Sequence, residues 1–326
     1  MIPPGTKLVK ELCIALEISK PAAFKRIRGE SKLTFNEIML LCRYLGFSFD
    51  QIVNGTALTP KNGFPFYSDA LKYKPTSLHE YWANMLNHLD KLEVIPGITS
   101  IYLTNEIPFF HYIQFPNLFY FKQFVWNKTS WHIPYPSSHY NKAFFSSDPQ
   151  VTNIIKEITK TYTATPSTEI WNPEMLNLTM MQLSYYVRSG AFKKIEDIEE
   201  ILEDIYKLIS FMKRMSEEGK KMFANGQMSD KDLFIYLNEL TINSEVIFIT
   251  SPSYRLVYNR YDSPNHIRSD NDVICDHMEG WLDSIINLST LISKRGQRER
   301  GLFFKNMFNQ FETYEKKIEG MIKAYY

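Results

Sequence analysis

Cysteine is scarce in this chain: three in 326 residues, at Cys13, Cys42 and Cys275, and none of them in a CxxC pair. With no signal-peptide pattern beside it, that scarcity argues against a disulfide framework or a thiolate zinc site. It predicts buried thiols in a reducing cytoplasm. Glycine is also sparse, at 13 residues, and no GxGxxG, Walker or GxSxG pattern occurs, so a phosphate-cradling loop or a nucleophile elbow has little material. The seven histidines never take HxH, HxxxH or HExxH spacing. No metal, cofactor or enzymatic apparatus is therefore expected. Polar residues interrupt every apolar run, which predicts no transmembrane span and no membrane partner. A net charge of +1 leaves any attraction to a polyanion to a local patch.

What is present is an ordinary globular composition, 44% hydrophobic and 22% charged, in a chain long enough for two domains. The most informative segment is 18–29, Ile-Ser-Lys-Pro-Ala-Ala-Phe-Lys-Arg-Ile-Arg-Gly. Ser19 reads as an N-cap, and Ala23 and Ile27, four apart, read as the buried face of a short helix. Lys20, Lys25 and Arg28 fall away from that face. A helix over about 6–16 precedes it, with Val9, Leu12, Cys13 and Leu16 as its inward stripe and Glu17-Ile18 as the corner. Thr34-Phe-Asn-Glu37 is a capping box that opens a third helix burying Ile38, Leu41 and Leu45. Gly46 ends it, and residues 48–53 suggest one more short turn.

Two short helices across a tight corner, an Arg-Gly, a capped helix and a final apolar turn resemble the lambda-repressor-like helix-turn-helix family over roughly residues 6–53. In that family the second helix lies in the major groove and basic flanks hold phosphates. The resemblance implies that Lys20, Pro21, Phe24 and Lys25 face bases. It makes Arg28, Lys7 and Lys10 phosphate contacts on double-stranded DNA. Two departures stand out. Glu17 occupies the corner usually held by glycine, at a cost of about 1 kcal/mol if its φ is positive. The family also places a helix before the pair, where this chain has only Met1-Ile-Pro-Pro-Gly5, so the first helix is expected to be absent or replaced. Residues 1–55 carry eight Lys/Arg and five Asp/Glu, a net +3. The plainer alternative is a helical subdomain with a solvated basic face.

Residues 57–76 are turn-rich and read as a linker, so the expected domains are 1–56 and 77–326. In the second, Ser77-Leu-His-Glu80 is a capping box, residues 98–104 alternate as a strand, and Asp148-Pro149 and Asn172-Pro173 open helices. Ten aromatic residues crowd 107–131. A core helix kinked at Pro116 is the favoured explanation; an aromatic pocket for a planar effector is the other. Residues 193–223 give the longest periodic helix, suited either to a dimer contact or to packing in its own domain. Residues 242–250 and 254–261 read as a hairpin, and helices near 271–292 and 297–323 complete the chain. The predicted fold class is mainly α with a small β-sheet (α+β).

Two basic groups stand apart. Arg295 and Arg298 flank Gly296 before a helix start, an arrangement that suits an anion, although a solvated basic turn is the commoner explanation. His266 and Arg268 follow the hairpin and are candidates to line the same pocket. The sequence thus predicts a DNA-binding transcriptional regulator of bacterial type, whose larger domain senses a small-molecule effector, forms a homodimer, or both. The alternative is a protein-interaction or scaffold protein that uses its N-terminal helices to bind a partner.

Overall fold

A computed structural model of the chain describes residues 8–45, 49, 64–68, 74–240 and 244–325, and the chain divides into two compact units, 1–65 and 66–326. In the smaller unit α1 (Leu8–Leu16) and α2 (Lys20–Ile27) meet at a three-residue corner, followed by α3 (Phe35–Leu45). Leu12, Leu16, Ala23 and Leu41 form its core, with Val9, Cys13, Ile18 and Leu45 packed around them. The Thr34 capping box forms as expected: the Glu37 amide donates to Thr34 Oγ1 at 3.3 Å and the Thr34 amide donates to Glu37 Oε2 at 2.9 Å. Arg26 Nε donates to Glu37 Oε1 at 3.0 Å and ties α2 to the start of α3. Ile27 departs from its expected place. It is 41% exposed, because α2 ends at Ile27 and the chain reverses through Gly29, whose φ of 74° suits glycine. The expected turn at 48–53 lies outside the described residues apart from Phe49.

The larger unit opens with α4 (Leu78–Glu93). Ser77 Oγ accepts from the Glu80 amide at 3.1 Å, while the Glu80 carboxylate reaches the Thr76 amide and hydroxyl rather than Ser77. Next come β1 (Thr99–Leu103), α5 (Phe109–Tyr112) and α6 (Pro116–Trp126), the last running into a π-turn over Asn127–Trp131. Then follow α7 (Lys142–Ser146), α8 (Pro149–Ala164), β2 (Ser167–Trp171), α9 (Asn177–Arg188) and α10 (Ile195–Glu218). Asp148 caps α8 by accepting from the Gln150 and Val151 amides. The chain finishes with β3 (Lys220–Met222), β4 (Met228–Leu237), β5 (Val246–Ser251), β6 (Tyr254–Asp262), β7 (Asn265–Ser269), α11 (Asp272–Asn287), β8 (Thr290–Leu291) and α12 (Gln297–Tyr325).

The α+β class stands, and the sheet is larger than residues 98–104 and the hairpin alone suggested. Eight strands run in the order β3-β4-β2-β1-β5-β6-β7, with β8 added to β4. The pairs β1–β2 and β2–β4 are parallel; β1–β5, β5–β6 and β6–β7 are antiparallel. Tyr67, in the segment read as a linker, bridges Arg268 at the β7 edge. On one face Cys275, Leu282 and Ile285 of α11 cover Leu103, Ile170, Val246, Phe248 and Val257. The other face supports the main core, where Trp82, Trp126, Trp131 and Trp171 are all buried.

The aromatic stretch is chiefly core, as favoured, with the break at Pro116 separating α5 from α6. Its low helical asymmetry follows from burial on all sides, which needs no polar face. The helix α10 does not extend to 223, since Gly219 turns left-handed at φ 58° and residues 220–222 become a strand. At 24 residues it is shorter than the 29-residue α12. Its apolar face (Ile198, Ile201, Ile205, Leu208, Met212, Met215) is buried in its own core, so that face is not open to a second subunit. Among the described residues no helix is long and apolar enough to cross a membrane, and no two of the three cysteines are joined.

Candidate functional site

The corner between α1 and α2 carries the decisive backbone feature of the smaller unit. Glu17 has φ 52°, in the left-handed region, and is exposed. A non-glycine residue is held there only when the surroundings demand it. The demand here is burial: Leu16 and Ala23 must reach one core from two helices separated by only three residues. Ser19 takes the extended N-cap conformation, but its hydroxyl makes no capping bond; Pro21 presets the first turn of α2 instead. The end of α2 is closed by a Schellman arrangement, the Glu30 amide donating to Lys25 O at 2.9 Å and the Gly29 amide to Arg26 O at 3.1 Å.

Of the residues expected at DNA, Lys10, Lys20, Pro21, Phe24, Lys25 and Arg28 are exposed, and Lys7 lies outside the described residues. Arg28 is already engaged, its Nε 2.7 Å and its Nη2 3.2 Å from the two oxygens of Glu30. An exposed pair of this kind is weak enough for a phosphate to displace. Phe24 at 45% exposure and Ile27 add an apolar component to the same short helix.

The larger unit holds a cavity of about 460 Å³ between its sheet and α4. Residues facing one side of the sheet recur every second position, and adjacent strands place them in rows. One row runs Tyr102–Ile247–Tyr258–Arg268 across β1, β5, β6 and β7, through the pairs Tyr102↔Ile247, Ile247↔Tyr258 and Tyr258↔Arg268. Two residues along lies an apolar row in which Ile249 pairs with Leu256. On the opposite side a polar row sets Arg260 against His266, the Arg260 amide donating to Glu245 O at 3.2 Å. The floor therefore grades from hydrocarbon to charge within three rows. The opposing wall comes from Tyr81, Met85 and Leu89 of α4, with Phe109, Phe110 and Trp131 from the aromatic stretch. That stretch supplies both core and cavity wall.

Beyond the polar row the charged groups are buried. Glu106 accepts from Lys122 Nζ at 2.9 Å and also pairs with Arg260, which contacts Glu245 as well. Burial works to raise the Glu106 carboxyl, but the two cations hold it below its usual range. Glu245 is pushed above the carboxylate range by burial, despite Arg260. His266 is pushed down to about 4 by burial and by the charge of Arg260, so its imidazole is neutral at physiological pH.

A second buried cluster lies in the row beyond Tyr102, where Glu169 is its partner on β2. The Glu169 carboxylate accepts from His111 Nε2 (2.8 Å), Tyr162 Oη (2.5 Å) and Trp171 Nε1 (2.8 Å). Burial opposes its charge, yet His111 and Lys221 bring it down to about 2. Lys221, on β3, is fully buried, with Nζ 3.2 Å from the centre of the Tyr162 ring, and burial pushes it down to about 7.

Arg268 and His266 both line the cavity, whereas Arg295 and Arg298, expected to share one pocket with them, lie elsewhere. Both are exposed at the start of α12, near β4 and β8, where Arg300 Nη1 donates to Ile292 O at 2.7 Å and to Arg295 O at 2.9 Å and closes the turn. Gly296, at φ 64°, presses against this turn so closely that an added Cβ would stand 2.5 Å from Leu291 O. That turn is filled by its own chain. Sequence reasoning missed Lys122, Glu106, Glu169 and Lys221. The one local signal was a lysine flanked by aromatics in Phe121-Lys-Gln-Phe124, since a charge inside an all-apolar helix needs a buried partner. No family model, curated protein or solved structure matches the chain.

Proposed function

We propose that this chain is a DNA-binding transcriptional regulator acting in a reducing cytoplasm, in which α2 meets duplex DNA and the larger unit senses a small-molecule effector, dimerises, or both. The observation that carries the reading is the left-handed corner at Glu17, with Leu16 and Ala23 buried on either side of it. That corner is compatible with a helix-turn-helix, and it leaves Lys20, Pro21, Phe24 and Lys25 exposed on the helix that would enter the groove. The cavity gives the larger unit room for an effector of the size bound in ordinary small-molecule sites, about 300–1,000 Å³. Effector control would be linkage: a ligand shifts DNA affinity only by its different affinity for two arrangements of the protein. Pairing of two chains would let two weak modules act on neighbouring half-sites.

The test is fluorescence anisotropy with labelled duplex DNA at low salt, where phosphate contacts are strongest. Binding by the wild type, weakened at least tenfold by Lys20→Ala with Lys25→Ala at unchanged helicity, supports the reading. Undetectable binding overturns it. A second reading, a module that binds a partner protein, is favoured by the apolar exposure of Phe24, Ile27 and Phe35 on the smaller unit. It predicts that DNA binding is absent while Phe24→Ala abolishes capture of the partner.

A further inference from the structure

We propose that the outer face of α9 is where two copies of this chain pair, running antiparallel about a two-fold axis beside Met181. This rests on the dimerising arm of the function proposed above and names its interface.

The outer face of α9 lacks the charges that keep other helices of the larger unit in water. The exposed side of α8 carries Lys156, Glu157 and Lys160, and that of α10 carries Glu203, Lys207 and Lys213. From Met175 to Val187 the sequence has no charge at all. Met180, Leu183 and Val187 are fully buried on the inner side of α9, where it packs against α12. Between Asn177 and Val187 the exposed positions are Leu178, Met181 and Tyr185, at 37%, 57% and 55% exposure. A helix with apolar residues on both sides is normally covered on both. Methionine and tyrosine are also types enriched in the middle of protein interfaces.

What covers this face follows from the charges at its ends. Glu174, in the turn before Leu178, and Arg188, the last residue of α9, are both exposed and lie seven positions either side of Met181. The Glu174 carboxylate accepts from the Asn177 side-chain amide, which holds it at the head of the helix. The row Glu174, Leu178, Met181, Tyr185, Arg188 thus alternates steps of four and three, the spacing by which helices pack side by side. Laid antiparallel on itself about Met181, the row sets Leu178 against Tyr185 of the second copy and Glu174 against its Arg188, each contact made twice by symmetry. Laid parallel, it would set Glu174 on Glu174 and Arg188 on Arg188. The row complements itself in one direction only, which favours a second copy over an unrelated partner. One helix per chain buries less than the roughly 800 Å² per partner of a stable interface, so the pairing is weak, with a Kd on the order of 10 μM.

The experiment is sedimentation velocity of the full chain at low salt over about 1–100 μM, a range that brackets such a Kd. The wild type should pass from monomer to dimer. Met181→Lys, which places two charges at the centre of the contact, should weaken pairing at least tenfold with circular dichroism unchanged; Tyr185→Lys serves the same purpose if the first variant unfolds. Glu174→Arg and Arg188→Glu should each weaken it about fivefold, by turning two attractions into two repulsions. The double variant Glu174→Arg with Arg188→Glu should recover the wild-type Kd within twofold, which a mere disturbance of the helix ends would not do. A dimer that persists in folded Met181→Lys and Tyr185→Lys overturns this interface and leaves the dimerising reading standing. Loss of pairing in the single charge variants without recovery in the double variant overturns the antiparallel arrangement, as does indifference to all three. A wild type that stays monomeric throughout overturns both the proposal and the dimerising reading.

Discussion

Replacing Lys221 by methionine should make the larger unit more stable at pH 6, although it removes the one lysine charge next to Glu169. The side chain is fully buried on β3, and Nζ finds no hydrogen-bond partner among the described residues; it lies over the Tyr162 ring and, farther off, the Tyr102 ring. Burial brings the ammonium down to about 7, against about 10.4 for an unfolded lysine. That difference corresponds to at most about 4–5 kcal/mol opposing folding wherever both states are protonated. Local relaxation and water entry lower such figures, so about 2–4 kcal/mol is the expected gain. Glu169 is not abandoned in the variant, because His111, Tyr162 and Trp171 continue to donate to it. Methionine matches the length and apolar stem of lysine, which limits the packing change.

The pH dependence separates this from a packing effect. Below pH 7 lysine is charged in both states and the full penalty applies. Between about 7 and 10.4 the unfolded chain binds the extra proton, so wild-type stability rises with pH and the advantage of methionine shrinks. The assay is urea unfolding followed by tryptophan fluorescence at pH 6, 8 and 10. A variant less stable than wild type at pH 6, or a gain that does not change with pH, would refute the reasoning.

Three other outcomes are expected. Glu17→Gly should stabilise the smaller unit by about 1 kcal/mol, since glycine adopts the left-handed corner without the steric cost; circular dichroism on thermal unfolding reads it, and DNA affinity should not fall. Thr34→Ala should cost that unit about 1 kcal/mol by removing the cap on the Glu37 amide, read by the same melt. Glu169, held down to about 2, contributes stability that is present above the unfolded value of about 4.3 and is lost as pH falls toward 2. Glu169→Gln should therefore flatten the acid limb of the unfolding curve between those values.

Elements fixed by local chemistry were legible in the sequence. The caps at Thr34, Ser77 and Asp148 depend on residues within four positions of each other, and all three form. Strand β2, Ser-Thr-Glu-Ile-Trp, was not legible, because its central Glu169 depends on His111 of α5 and on the charge of Lys221 on β3, both far away in sequence, besides the nearby Tyr162 and Trp171. Strand β4 begins Met-Ser-Asp-Lys-Asp, a polar run that reads as a loop, and becomes a strand through pairing with β2 and β3. Of the candidate site, the sequence put His266 and Arg268 just after the hairpin, but that they share one face of a further strand, β7, was not legible. Nor was the separation of Arg295 and Arg298 from them, since it depends on where α12 leaves the sheet.

The central claim, that the N-terminal helices hold duplex DNA through exposed cations, is tested most directly by the salt dependence of that affinity. With about three phosphates neutralised by Lys7, Lys10 and Arg28, the residues that the resemblance sets at the DNA backbone, log K should fall against log salt with a slope of about −3, and twice that if two chains bind together. Arg28→Ala should reduce the slope by about one per bound chain. A slope near zero, or one that Arg28→Ala leaves unchanged, would contradict the account.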